Sequence, residues 1–306
     1  MKKEDFTPHQ FDSISDLHRM LGLPKPLHPL VTLVDNTHIS VDKEALPAAF
    51  LFNFYKISYK KTLKGKIRYG QGYYDFDEGG LVFTAPNQIL ATTDDTEYLG
   101  YTLLIHPDFI RNHVLGRNIK NYGFFSYAAN EALHLSDKEK NTIISIFKNI
   151  EEELKSNIDD FSQDVIISQI ELILNYSNRF YKRQFITRKA VNHDLLTHLE
   201  SIMNNYFIDE KPLTIGLPTV EYLAEKLNLS PRYLSDMLRS LIGQNTQQYI
   251  HEKLIEKAKD YLTSDHLSVA EIAYQLGFEH PQSFNKVFKK KTNLTPIQFK
   301  QSFYKN

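Results

Sequence analysis

The C-terminal part of this chain matches itself. Leu223, Ala224, Leu227 and Leu229 recur 49 residues on as Ile272, Ala273, Leu276 and Phe278. Leu234, Leu238, Gly243, Asn245 and Tyr249 recur 50 residues on as Phe284, Phe288, Asn293, Thr295 and Phe299, so one residue has been added between the two sets. Apolar positions kept at helical spacing in two copies predict two versions of one helical unit.

Each copy carries the punctuation of a helix, a tight turn and a second helix. Ala224 and Ala273 are small where two helices would cross closely. Asn228 and Gly277 follow an apolar helix end, and both residue types accept the left-handed backbone of a helix C-cap. Ser230 and Pro231 can cap and start the next helix, and Pro281 can take the first helical position of the second copy. Leu234 with Leu238, and Phe284 with Phe288, bury one face. Gly243 and Asn293 can end these second helices.

Charge is balanced overall, with 36 Lys and Arg against 37 Asp and Glu, and no global bias points to nucleic acid. Residues 193–306 are also balanced, at 13 against 13. Their distribution is uneven: residues 281–306 hold Lys286, Lys289, Lys290, Lys291, Lys300 and Lys305, without an Asp or Glu. A lysine run on one helix is ordinarily a solvated face, and two helical hairpins could serve as a docking module. Two copies in register, each with cations facing outward on the second helix, favour a DNA backbone as the partner.

At these residues the chain resembles the C-terminal DNA-binding domain of the AraC/XylS family of bacterial transcription regulators. VAEIAYQLGFEHPQSFNKVFKKKTNLTPIQFK is similar to that family's signature segment, and TVEYLAEKLNLSPRYLSDMLRSLIGQNTQQYI to its first helix-turn-helix. The resemblance covers about residues 193–306. It departs at Asn293, where the family usually has Gly, and at Asp236 in the first recognition helix. It implies about seven helices, two helix-turn-helix motifs and a linker helix from about Thr246 to Leu262. A linker of this size is on the order of 25 Å long, suited to hold two recognition helices in major grooves ~34 Å apart.

The expected DNA-binding residues follow from the outward faces. Recognition helix one, about Pro231–Leu241, offers Arg232, Ser235, Asp236 and Arg239. Arg232 could take a guanine bidentately. Asp236 could accept from a cytosine amino group or pair with Arg232 or Arg239, and the pairing is preferred. Recognition helix two, about Pro281–Thr292, offers Gln282, Ser283, Asn285 and Lys286 to bases, with Gln282 or Asn285 suited to adenine. Lys289, Lys290 and Lys291 are expected at phosphates, which position without specifying.

The N-terminal part reads differently. Residues 28–130 show aromatic-rich alternating segments between Gly, Pro, Asn and Asp turns, which predict short strands in a sandwich or barrel. Residues 136–184 switch to helical period, starting with a capping box at Ser136 and Glu139. Ile143, Ile146, Phe147, Ile150 and Leu154 mark the first helix; Val165, Ile166, Ile170, Ile173 and Leu174 mark the second. The expected class is therefore α+β: a sensor/dimerisation domain over 1–185, with a cupin-like β-barrel or sandwich and two helices, and an all-α DNA-binding domain over 186–306. GGLVFTAPNQIL and LLIHPDFIRNHVLG resemble segments of the family's sensor domains.

A metal-dependent cupin enzyme is rejected as the alternative. Its first histidine pattern, set from Gly65, places Gln71 and Tyr73 at ligand positions; its second, set from Gly80, places Ala91 there. His28, His38, His106 and His113 show no ligand spacing. The chain has no cysteine, which removes disulfides and thiolate chemistry. No catalytic residue, metal or cofactor is expected. Phe54, Tyr69, Tyr73, Phe83 and Tyr101 are candidate lining residues for a small-molecule effector, with a dry core as the other reading. The expected partners are double-stranded DNA, RNA polymerase, a small effector and a second copy of the chain, the last through the helices of 136–184. With no signal peptide and no 18-residue apolar run, a cytoplasmic protein without a membrane span is expected.

Overall fold

The computed structural model describes residues 8–39, 47, 49–62, 66–69, 72–75, 79–91, 99–128, 131–156, 159, 161–187, 189–264 and 267–304. The chain divides into two compact units, Met1–Gln184 and Phe185–Asn306.

The first unit is built on strands. In order it contains β1 (His9–Phe11), α1 (Ile14–Met20), β2 (Val31–Asp35), β3 (Ala49–Phe52), β4 (Tyr55–Thr62), β5 (Lys66–Tyr69), β6 (Gly72–Asp75), β7 (Gly80–Thr84), β8 (Ile89–Ala91) and β9 (Leu99–Ile105). Two short helices, α2 (Pro107–Ile110) and α3 (Val114–Asn118), lead to β10 (Leu133–His134), then α4 (Asp137–Lys155) and α5 (Ser162–Thr187). Five strands form an antiparallel sheet in the order β10-β7-β4-β9-β2. Its central register pairs Ile57 with both Phe83 and Leu103, and Ile57 and Leu103 are fully buried. A smaller sheet runs β1-β3-β8, and β5 pairs with β6.

Helix α4 starts as its sequence requires. The Ser136 amide donates to Glu139 Oε2 at 2.8 Å, and Arg183 of α5 donates to the same oxygen at 2.7 Å. One carboxylate thus caps α4 and ties α5 to it. Ile143, Ile146, Phe147 and Ile150 are buried as their spacing predicts. Helix α5 carries all five residues expected on it, and four of them are buried. Val165 is exposed, and Ile167 is buried instead beside Ile166, Ile170, Ile173 and Leu174. The buried stripe is centred on Ile166 and Ile170, so at ~100° per residue Val165 falls about 120° from its centre, on the exposed side.

The second unit is helical: α6 (Lys189–Ile208), α7 (Lys211–Ile215), α8 (Val220–Leu227), α9 (Pro231–Ile242), α10 (Thr246–Ser264), α11 (Val269–Gln275), α12 (Pro281–Thr292) and α13 (Pro296–Tyr304). The sequence repeat becomes a repeat of hydrogen bonds. Leu229 N donates to Ala224 O and Asn228 N to Glu225 O; Phe278 N donates to Ala273 O and Gly277 N to Tyr274 O. Both helix ends are therefore closed by the same paired 6→1 and 5→2 bonds. The helices after each unit start alike too. Asn245 and Gln248 exchange two backbone-to-side-chain bonds, both 2.9 Å, and Thr295 and Gln298 do the same at 2.9 and 3.2 Å. Leu223, Leu234 and Leu238 in one copy, and Ile272, Phe284 and Phe288 in the other, are fully buried.

At each turn one copy uses Gly and the other Asn. Asn228 has φ 54° where Gly277 has 89°, and Asn293 has φ 60° where Gly243 has 75°. The two glycines are there for different reasons. A Cβ built on Gly243 would meet nothing within 4 Å, so only the left-handed backbone asks for Gly, and Asn can supply it. A Cβ on Gly277 would fall 2.6 Å from the carbonyl carbon of Gly216 and 2.9 Å from Leu217 N. There backbone packs on backbone. Gly243→Asn is accordingly expected to change stability by less than about 1 kcal/mol, whereas Gly277→Asn should cost roughly 2–4 kcal/mol through overpacking and lost cooperativity. Urea unfolding of the two variants against the parent checks this; equal losses would contradict it.

Candidate nucleic-acid interface

Helix α9 displays its candidate residues on a scaffold that the repeat has fixed. Ser230 accepts from Tyr233 N at 3.2 Å and Pro231 opens the helix. Tyr233, Leu234, Met237 and Leu238 are buried, which leaves Arg232 and Arg239 exposed. Asp236 lies between them. Arg232 Nε donates to its Oδ2 at 2.9 Å and Arg239 Nη1 to its Oδ1 at 2.8 Å. The Asp236 side chain keeps only 17 % of its accessible surface, against 47 % and 54 % for the arginines. Ser235 is turned toward the start of α10, its Oγ 2.9 Å from Oγ1 of the buried Thr246.

Helix α12 is simpler. Phe284 and Phe288 are fully buried and continue a line of rings: Phe278–Phe284 at 5.5 Å, Phe284–Phe288 at 5.6 Å and Phe288–Phe299 at 5.6 Å. With that face spent on the core, Gln282, Ser283, Asn285, Lys286, Lys289 and Lys290 are all exposed, as is Lys291. Lys289, Lys290 and Lys291 lie in the last turn, where the negative end of the helix dipole favours cations.

Residues 223–302, from within α8 to within α13, match the family model described as a helix-turn-helix domain. The chain is 38 % identical over 102 residues to an uncharacterised HTH-type transcriptional regulator of Pseudoalteromonas carrageenovora, covering 33 % of this chain and 55 % of that one. It is 26 % identical over 141 residues to the HTH-type transcriptional activator RhaS of Salmonella paratyphi B, covering 46 % of each. Residues 223–302 are an AraC-type helix-turn-helix domain. Among solved structures, the C-terminal domain of the response regulator yesN from Fusobacterium nucleatum is 34 % identical, with a TM-score of 0.31 over 35 % of this chain and 98 % of that one. The chain spans about half the length of the curated relatives it matches.

Within the AraC-type domain the two outward helices differ in charge. On α9 the acid between the arginines leaves a net of one positive charge from Arg232, Asp236 and Arg239. On α12 four lysines stand without an acid. Anion attraction is therefore concentrated on α12, and α9 offers an ordered, nearly neutral surface of fixed guanidinium groups. Ser235 is less available than its spacing predicts because Thr246 holds it. The reciprocal caps Asn245–Gln248 and Thr295–Gln298 escaped the sequence reading. Their signal was the N/T-x-x-Q spacing at repeat-equivalent positions.

The candidate effector residues are spread through the first unit. Phe54 is fully buried in a cluster with Phe11, Ile14, Leu17, Phe52 and Leu104. Phe83 packs 4.3 Å from Phe124 and 5.6 Å from Phe125. Tyr101 is half-buried, 6.0 Å from Phe147 of α4. The side chains of Tyr69 and Tyr73 lie outside the described residues. A small cavity of about 160 Å³ opens elsewhere, walled by His18, Val31, Val34, Asp35, Glu151 and Leu154 among others. Phe54, Phe83 and Tyr101 do not line it. Among the described residues no His, Asp and Glu group has metal-binding geometry, and no helix is long and apolar enough to cross a membrane.

The Arg232–Asp236–Arg239 arrangement gives a direct test. Asp236→Asn removes both ion pairs and releases two arginines. Stability should fall by no more than about 1–2 kcal/mol, since Asp236 is largely buried but the arginine end of each pair is about half exposed. Binding to a mixed-sequence duplex should tighten several-fold, with a steeper dependence on salt. Unchanged affinity in an anisotropy titration would show that the arginines do not face the backbone.

Proposed function

We propose that this chain is a sequence-specific DNA-binding transcription regulator. In this reading α8–α9 and α11–α12 are two helix-turn-helix units, α9 and α12 are their recognition helices, and α10 is the linker between them. The observation that carries it is α12: a helix anchored by buried Phe284 and Phe288, whose outer face is Gln, Ser, Asn and Lys without an acid. The AraC-type domain around it supports the same reading, as do relatives whose names are those of transcriptional regulators. The 19-residue α10 is about 28 Å long, close to the ~34 Å between successive major grooves on one face of the duplex.

The roles divide by chemistry. Gln282 and Asn285 carry the paired donor and acceptor that adenine presents, and Arg232 the fork that guanine accepts. Ser283 is a small exposed donor-acceptor on α12, while Ser235, held by Thr246, reaches the duplex less readily. Lys286, Lys289 and Lys290 neutralise phosphates. Asp236 holds Arg232 in a defined rotamer and is itself held by Arg239.

We read the first unit as a cupin-like sensor and dimerisation domain. Phe161, at the head of α5, and Val165 and Leu172 on it are exposed at 71, 41 and 40 %, an apolar stripe suited to a second copy of this helix. The small cavity would admit an effector of only a few heavy atoms, well below the usual ligand-pocket size. Dimerisation would supply affinity through effective concentration. A promoter-bound dimer would bring RNA polymerase within reach.

Selection of random duplexes by the full chain at two salt concentrations tests the reading. Enrichment of two short blocks about one helical turn apart is expected, and no enriched motif in either condition would refute it. On the enriched duplex, Lys289→Ala should weaken binding to all sequences alike and flatten the salt slope by about one. Arg232→Ala should cost roughly 1–3 kcal/mol at one base position; an unchanged preference would remove Arg232 from base readout.

A further inference from the structure

Strand β2 ends the five-strand order among the described residues, with β9 on one side only. In an antiparallel pair every second residue turns its amide and carbonyl toward the partner strand, and the residues between turn theirs away. His106 N donates to Leu30 O at 2.8 Å, one step before Val31 pairs with Ile105. By this parity Thr32 and Val34 bond to β9, and Leu33 directs its N–H and C=O to the open edge. Among the described residues no hydrogen bond reaches either group of Leu33 from that side.

The small cavity lies along this edge. All five residues of β2 wall it. Successive strand side chains point to opposite faces, so a cavity that touches all five runs beside the strand and not over one face. The facing wall is held in place. His18 is buried, with Nδ1 2.6 Å from Pro24 O and Nε2 3.3 Å from Thr32 Oγ1. A carbonyl can only accept, so Nδ1 carries the proton and Nε2 accepts from the Thr32 hydroxyl. Pro24 and Pro26 stiffen the same wall, and Leu23, Leu27 and Leu154 make it apolar. Charge of both signs stands at its two ends. Asp35 lies two residues beyond Leu33, in the direction of the Leu33 carbonyl, and only its Oδ1 is engaged, by Thr37 N at 3.0 Å and Thr37 Oγ1 at 2.7 Å. Lys25 follows Pro24, which His18 holds to Thr32 at the amide end; it is exposed and without an ion pair among the described residues.

We infer that this cavity binds a free α-amino acid with a branched or aromatic apolar side chain. Its ammonium donates to Leu33 O beside Asp35, its carboxylate accepts from Leu33 N–H beside Lys25, and its side chain fills the apolar space. An edge residue that offers one N–H and one C=O is the complement of one amino-acid unit, which returns a donor and an acceptor at the same spacing. A volume of about 160 Å³ is that of a cavity that takes a benzene-sized group, hence one such side chain. Opposite charges at the two ends suit a zwitterion better than the neutral interior of a peptide. The inference deepens the small-effector reading above and rests on it only for what binding does to DNA affinity.

Calorimetric titration of the full chain tests the site. L-leucine, L-isoleucine or L-phenylalanine should bind with a dissociation constant between micromolar and low millimolar. Isocaproate, which lacks the ammonium, isoamylamine, which lacks the carboxylate, and glycine, which lacks the side chain, should each bind about tenfold more weakly or worse. Asp35→Asn, which keeps an oxygen for Thr37, should weaken L-leucine several-fold and leave isocaproate unchanged. Lys25→Gln, at an exposed position, should weaken L-leucine and leave isoamylamine unchanged. No binding of any of the three amino acids would overturn the inference. Isocaproate and isoamylamine binding as well as L-leucine would reduce the site to an apolar hole and overturn it too. Tighter binding of N-acetyl-leucine N-methylamide would make the edge a peptide site and likewise overturn it. Duplex affinity with and without L-leucine is a separate readout: if bound leucine leaves it unchanged, the effector reading fails and the site stands.

Discussion

At Gly277 and Gly216 two stretches of backbone touch with no side chain between them, and the relation of the two helix pairs hangs on that contact. Gly277 is the turn residue of the second pair, and Gly216 precedes the first pair in the segment between α7 and α8. The φ of 89° at Gly277 disfavours most residues, and a Cβ there would fall 2.6 Å from the Gly216 carbonyl carbon. Two constraints of different origin thus meet at one atom. The turn orients α12 against α11, and the contact orients both against the first pair. Every outward-facing side chain of α12 inherits its position from there.

Much of the second unit was legible because its signals are local. The bounds of α12, Pro281–Thr292, are those its proline and its left-handed Asn293 announce. The repeat reported which positions are core: Leu234 and Leu238, then Phe284 and Phe288, all fully buried. The Gly277–Gly216 contact was not legible, because no spacing rule joins those positions. In the first unit the helix period located α4 and α5, while which apolar residues of α5 are buried, Ile167 rather than Val165, depends on what packs against it. The short β1 and α1 were missed, and the burial of Phe11, Ile14 and Leu17 around Phe54 belongs to long-range packing that no window of sequence contains.

The candidate interface separates in the same way. Outward positions on α12 could be read from the sequence because the helix has one buried face and everything else points out. On α9 the identities were legible and the interactions only in part. Pairing of Asp236 with an arginine was expected at i, i+4 spacing, and both arginines bind it. Capture of Ser235 by Thr246 was out of reach, since it depends on how α10 leaves the turn after Gly243. Side chains that reach solvent are predictable from period alone; those that reach another helix need the fold.

The division of charge between α9 and α12 has a mechanical consequence. A cation fixed by a neighbouring carboxylate gives up affinity for phosphate and gains a defined rotamer, so less conformational entropy is lost when a base is met. Lysines on four-carbon stems do the opposite: they follow a phosphate wherever the duplex places it, at an entropy cost offset by released counterions. In the proposed reading, a domain with both kinds of surface can attach through the lysines of α12 with little regard to sequence and then test sequence through Arg232 of α9 and Gln282 and Asn285 of α12.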